Sequence, residues 1–197
     1  MTRLALIFLI LLASCGVIGK AAAPLDAYTL QPLPMAASVP SARHLVVELP
    51  NASGALATDR ILIKPNPLQA QYLPKGRWVD PAPQLIQTLL VGSLQNASGF
   101  RLVGRDGAGL VPDYVLLVEL TAFQAEAQPP GASGPLVRVG LTLTLLREAD
   151  RTLLATRHFD QTTFAANTQT QNVVAAFDAA TRLVLAEAVA WTRSTAR

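Results

Sequence analysis

The chain has 197 residues, of which 51% are hydrophobic and 15% charged; that is apolar material for one domain of roughly 100 to 200 residues and too little charge for a disordered chain. The formal net charge of +3 comes from 16 basic and 13 acidic residues, and the basic ones are scattered with few aromatics beside them, so no nucleic-acid partner is expected. A single cysteine excludes an internal disulfide and a multi-cysteine zinc site.

Met1-Thr2-Arg3 supplies a short positive start, and residues 4–12 are an unbroken apolar run. That run suits the hydrophobic region of a signal peptide and falls short of the ~20 residues a membrane-spanning helix needs. Leu12-Ala13-Ser14-Cys15 then resembles the bacterial lipobox, in which small residues precede a cysteine whose thiol accepts a diacylglyceryl group before cleavage. The expectation is a signal peptide over 1–14, acyl chains of the palmitate kind on Cys15, a short tether over 15–24 and a folded domain over 25–197. An uncleaved anchor is the alternative. Several acyl chains hold a protein stably where one is marginal, so lipid would replace a transmembrane helix. By resemblance to other lipoproteins, an aspartate after the cysteine retains the protein in the inner membrane; Gly16 favours the periplasmic face of the outer membrane, with the inner membrane as the alternative.

Beyond the tether, Asp26 to Leu30 reads as a short strand ended by Pro32 and Pro34. His44 to Leu49 and Arg60 to Lys64 are apolar, β-branched runs stopped by Pro50 and Pro65, and Gln71-Tyr72-Leu73 is a brief third piece before the turn signal Pro74-Lys75-Gly76. Asp80 followed by Pro81 has the order of a helix cap and first helical residue. Leu85, Ile86, Leu89, Leu90 and Leu94 then repeat at helical spacing, which predicts a helix over 81–97. Phe100 to Val103 is a short strand before the glycine-containing loop 104–109.

Three longer extended segments follow. Residues 114–123 carry Tyr114, Leu116, Val118 and Leu120 on one face; residues 137–145 alternate apolar Val137, Val139, Leu141, Leu143 and Leu145 with Arg138, Gly140, Thr142 and Thr144. The tight link Glu148-Ala149-Asp150 predicts an antiparallel hairpin with the third, 152–164. The Pro- and Gly-rich tip 128–135 is expected to be exposed. Asn167 would cap a closing helix to about residue 193 whose stripe is Val173, Val174, Phe177, Thr181, Val184, Leu185 and Ala188.

The inventory offers no catalytic constellation. His44 and His158 each lie in an expected strand, and one His158–Asp160 pair on a shared face is far short of a metal site. No nucleophile elbow or phosphate-binding glycine loop is present. Glu119 would share a face with Val115, Leu117, Thr121 and Phe123 and be partly buried, yet no second acid or base accompanies it. The chain is read as a non-enzyme without a cofactor.

Several segments, in this order, resemble the ABC-type transport auxiliary lipoprotein family: Cys15, Tyr28-Thr29-Leu30, Asp59-Arg60-Ile61-Leu62-Ile63, Gly76-Arg77-Trp78-Val79-Asp80-Pro81 leading into a helix, Asp113-Tyr114-Val115-Leu116 ahead of Phe123, and the closing helix. The resemblance implies an α+β (α/β) domain with a mixed, largely antiparallel sheet covered by two main helices, similar to the TolB amino-terminal domain. It also implies an accessory of an envelope lipid transport system, working with an MCE-domain protein and an inner-membrane ABC permease or related component. A homo-oligomer, such as a ring, would suit an oligomeric conduit. A lipoprotein that holds lipid or another ligand itself is the competing reading. Tyr72, Arg77 and Trp78 are the candidate partner surface, because aromatic residues and arginine are enriched in binding hot spots; packing of Trp78 over the helix start, with Arg77 along it, is the alternative.

Overall fold

The computed structural model describes residues 24–35, 41–107, 109, 111–127, 131 and 133–196. Cys15, the leader and most of the tether lie outside them, as do 128–130 and 132 of the Pro- and Gly-rich tip. In chain order the elements are β1 Asp26–Tyr28, β2 His44–Val47, β3 Asn51–Ala52, β4 Arg60–Asn66, β5 Gln69–Trp78, α1 Ala82–Asn96, β6 Leu102–Arg105, β7 Tyr114–Glu126, β8 Leu136–Arg147, β9 Thr152–Phe164 and α2 Thr170–Thr195.

β7 is the axis of one mixed sheet. Along one edge it pairs antiparallel with β8, which pairs antiparallel with β9. Along the other edge β2, β3 and β4 follow one another, all parallel to β7, at Tyr114 to Leu116, Glu119 to Leu120 and Gln124 to Glu126. β6 extends the sheet beyond β2, while β5 forms a hairpin with β4 and carries β1 on its outer side. The antiparallel ladders are long and the parallel ones short, so the sheet is mixed but largely antiparallel, as the resemblance implies.

Alternation decides which face is covered. Val137, Val139, Leu141, Leu143 and Leu145 of β8 are all buried, and Leu116, Val118 and Leu120 of β7 join them in one core with the stripes of α1 and α2. A bulge between Leu120 and Ala122 then shifts the phase of β7, turning Phe123 and Ala125 toward that core. Glu119 consequently loses Phe123 as a face-mate and stands exposed, contrary to the expectation of partial burial. Ala176, Ala180 and Ala188 are buried in α2 beside Phe177, Val184 and Leu185, small residues that let the helix backbone approach the sheet.

Both helix starts differ from expectation. Pro81, not Asp80, occupies the cap position of α1, and among the described residues no side chain caps it. The Ala82 amide is instead taken by the Thr58 carbonyl at 3.0 Å, so a loop partner replaces the expected carboxylate. At α2 the cap is Gln169; Asn167 acts just before it, its Oδ1 accepting from the Gln169 amide at 2.9 Å and from Asn172 Nδ2 at 2.8 Å.

Candidate functional site

β5 sends its candidate residues to opposite faces. Trp78 has no exposed surface; its ring centroid lies 5.2 Å from that of Phe123 and 5.1 Å from that of Phe177, tying β5, β7 and α2 together in the core. It therefore packs beneath α2 and presents nothing to a partner directly. Tyr72 and Arg77 reach the surface. The Tyr72 hydroxyl donates to the Ala55 carbonyl at 3.4 Å, and the Arg60 guanidinium lies 5.7 Å from the centre of its ring. Arg77 meets the Asp59 carboxylate at 3.3 Å and its own neighbour's carbonyl, that of Trp78, also at 3.3 Å. Arg60 and Arg77 are paired in register across β4 and β5, so two arginines and one tyrosine share this part of the sheet.

On β8 and β9 the uncovered face is a polar ladder. Thr142 Oγ1 lies 3.1 Å from His158 Nδ1, and the Thr144 and Thr156 hydroxyls lie 2.9 Å apart. His158 Nε2 is 4.0 Å from Asp160, but that carboxylate is committed elsewhere: both its oxygens accept from Arg138 Nε at 3.0 Å. The hydrogen bond to Asp160, and then its charge, hold the Arg138 pKa above the ordinary arginine value. His158 and Asp160 do share a face, and the Asp160 carboxylate is already bound by Arg138. Among the described residues no group of three His, Cys, Asp or Glu is placed to hold a metal.

At the hairpin end of the sheet, an apolar cleft of about 200 Å³ opens between β4, β7 and the start of α2, walled by Ile63, Leu73, Ala125, Pro135 and Val173 with Lys64 and Glu126 at its margin. Sequence reasoning missed it because its walls come from segments far apart in the chain.

Fold and site together define a two-layer α+β domain whose distinctive chemistry lies on its uncovered sheet face and at one end of the sheet. The chain belongs to the family of ABC-type transport auxiliary lipoprotein components, whose sequence model matches residues 28–190. It is 29% identical over 170 residues to an uncharacterized protein of Bradyrhizobium diazoefficiens, a match covering 85% of this chain but only 44% of that protein's length. The crystal structure of protein XCC0632 from Xanthomonas campestris superposes with a TM-score of 0.78 at 27% identity, covering 88% of this chain and 96% of that one. A second crystal structure, of an uncharacterized protein, shares the fold with a TM-score of 0.66 at 18% identity over 86% of this chain and 99% of the other.

Proposed function

We propose that this protein is a lipid-anchored, non-catalytic accessory that docks an MCE-domain protein at the periplasmic face of the outer membrane, in a lipid transport system with an inner-membrane ABC permease. The observation that carries the reading is the extent of the family match: residues 28–190 take in nearly every strand, all of α1 and most of α2, so the surface patch and the core beneath it belong to the auxiliary component itself. Among the described residues no helix is long and apolar enough to cross a membrane, and in this reading anchorage falls to acyl chains on Cys15. Tyr72, Arg60 and Arg77 form the docking surface, and Trp78 stiffens it from below; aromatic and arginine anchors dominate such contacts.

The competing reading, a carrier that encloses lipid, has less space to work with. The apolar cleft measures about 200 Å³, below the ~300 Å³ at which small-molecule sites begin. The larger hollows beside it, about 530 and 560 Å³, are lined largely by charged and polar residues such as Lys64, Glu126 and Arg138 or Asp26, Lys75 and Gln171, and the interior between sheet and helices is filled by Trp78, Phe123 and Phe177. Native mass spectrometry of the detergent-extracted lipoprotein, mixed with an MCE-domain protein from the same cell, tests the choice. A complex without retained phospholipid is expected; a protein that carries stoichiometric phospholipid and ignores the MCE-domain protein sinks the docking reading.

A further inference from the structure

The turn joining β4 to β5 holds an apolar side chain out in solvent. Leu68 is 100% exposed, yet the turn is ordered by hydrogen bonds: Asn66 Oδ1 accepts from the Leu68 amide at 3.0 Å, and Asn66 Nδ2 donates to Gln69 Oε1 at 3.0 Å. Just behind it, register aligns Lys64, Glu126, Leu136 and Phe164 across four strands, and Phe164 is 64% exposed. The apolar cleft opens at the same end. Charge there is balanced: Lys64 and Arg138 are set against Glu126 and Asp160.

Chain direction distinguishes this end from the opposite one, where Val111 and Leu153 are also exposed. β1 runs parallel to β5 with Asp26 opposite Gly76, and β5 begins at the turn, so the chain followed backward from Asp26 heads toward Leu68. Continued along that line, Pro24 would come level with Pro74, some five residues or ~17 Å from the turn at ~3.3 Å per residue. The stretch from Cys15 to Pro24 reaches ~30 Å at most. Tyr114, where β7 begins, lies roughly eight strand residues or ~26 Å the other way, so a membrane beyond that end would require a reversal and nearly the whole extended tether.

We propose that the β4–β5 turn is the membrane-facing end of the domain, with Leu68 inserted among the acyl chains of a phospholipid surface and Phe164 at its interface. The proposal rests on the reading of Cys15 as the lipid anchor. Recognition is apolar rather than electrostatic, because the charges at this end cancel and a single leucine needs the anchor's high effective concentration to stay inserted.

The test uses the full lipoprotein in vesicles of phosphatidylethanolamine and phosphatidylglycerol, with an environment-sensitive fluorophore on Leu68→Cys or, as control, on Val111→Cys. Acyl-chain nitroxide lipids are expected to quench the label at 68 several-fold more than the label at 111, with little change on adding salt. Leu68→Glu, which loses no buried contact, is expected to keep the wild-type Tm and to abolish quenching of a label on Phe164→Cys. Vesicle-bound protein with a water-exposed label at 68 overturns the proposal and leaves the anchor intact. Shielding of 68 only when an MCE-domain protein is added also overturns it, assigning the turn to that partner. A thiol-reactive Cys15 with no vesicle association defeats the anchor reading and this proposal together.

Discussion

The Trp78 amide donates to the Asp59 carbonyl oxygen at 2.7 Å, and this bond joins two motifs that are separate in the chain. Beside it the Arg77 guanidinium pairs with the Asp59 carboxylate, while the Val79 amide donates to the Tyr28 carbonyl at 2.8 Å. Tyr28, Asp59 and Arg77-Trp78 are thus one structural junction, which turns the indole inward and leaves the guanidinium outside. The two side chains should differ sharply in energetic weight. Trp78→Ala, which empties a fully buried aromatic site, is expected to cost about 3–5 kcal/mol in urea unfolding. Asp59→Ala breaks a pair whose side chains are 41% and 37% exposed, and solvent screening holds that loss to ~1 kcal/mol or less.

Because Tyr72 and Arg77 are surface residues, their role in docking can be separated from folding. The double variant Tyr72→Ala/Arg77→Ala is expected to melt within a few degrees of wild type, yet to weaken binding of the MCE-domain protein by ~2 kcal/mol or more, the range of hot-spot truncations. Calorimetric titration of both proteins supplies the comparison, and equal affinity would move the docking surface elsewhere.

On the uncovered face of the sheet, Gly140 has little room for a side chain. A Cβ there would lie 2.7 Å from Thr121 Oγ1, 3.1 Å from Asp160 Oδ2 and 3.2 Å from the Ala122 Cβ. Thr121 belongs to the β7 bulge, and Asp160 holds Arg138, so neither yields freely. Gly140→Ala is expected to destabilise the domain by about 1–3 kcal/mol, visible as a lower urea midpoint, and to disturb the Arg138–Asp160 geometry.

Local pattern was enough for the elements whose burial is decided by local periodicity. β8 follows the alternation of Val137 to Leu145, and α2 follows the stripe from Val173 to Ala188. Pairing overrode local signals elsewhere. Pro74-Lys75-Gly76 carries turn chemistry but lies inside β5, since β1 pairs only with Gly76 to Trp78 and leaves Pro74 without a ladder partner to satisfy on that edge. Gly104 and Arg105 read as loop but extend β6, recruited by the parallel ladder to Val46 and Val47. The succession of β2, β3 and β4 along one edge of β7 depends on contacts between distant segments, as does the cleft beside Val173. On β5, residue type marked Tyr72, Arg77 and Trp78 together; only the backbone course assigns the indole to the core.

The β8–β9 turn provides a pH test. Asp150 accepts hydrogen bonds from the Thr152 side chain and from its amide at 3.1 Å, with Arg147 at 3.3 Å as a weaker contribution, and its pKa is held below the ordinary 3.8. A carboxyl whose folded pKa is depressed adds stability above its unfolded value and loses it as pH falls through the folded one. Asp150→Asn is therefore expected to melt slightly below wild type at neutral pH, with the gap closing in strongly acid solution. Melting curves across pH follow the difference.

Thr181 presents the opposite situation, a buried polar group whose removal should help. Its side chain is 1% exposed on the core face of α2, and its hydroxyl has no hydrogen-bond partner among the described residues. Thr192, equally buried one helical stretch later, donates its hydroxyl to the Ala188 carbonyl at 2.8 Å. Valine nearly matches threonine in shape and in helix propensity, so substitution isolates the hydroxyl. Relief of an unsatisfied buried group is worth about 1 kcal/mol or more, and Thr181→Val is expected to raise the urea midpoint accordingly. Thr192→Val removes a bond that is made, so its midpoint is expected to stay level or fall. A rise at both positions would mean that the core around α2 simply prefers apolar volume, and the absence of a partner for Thr181 would no longer explain its gain.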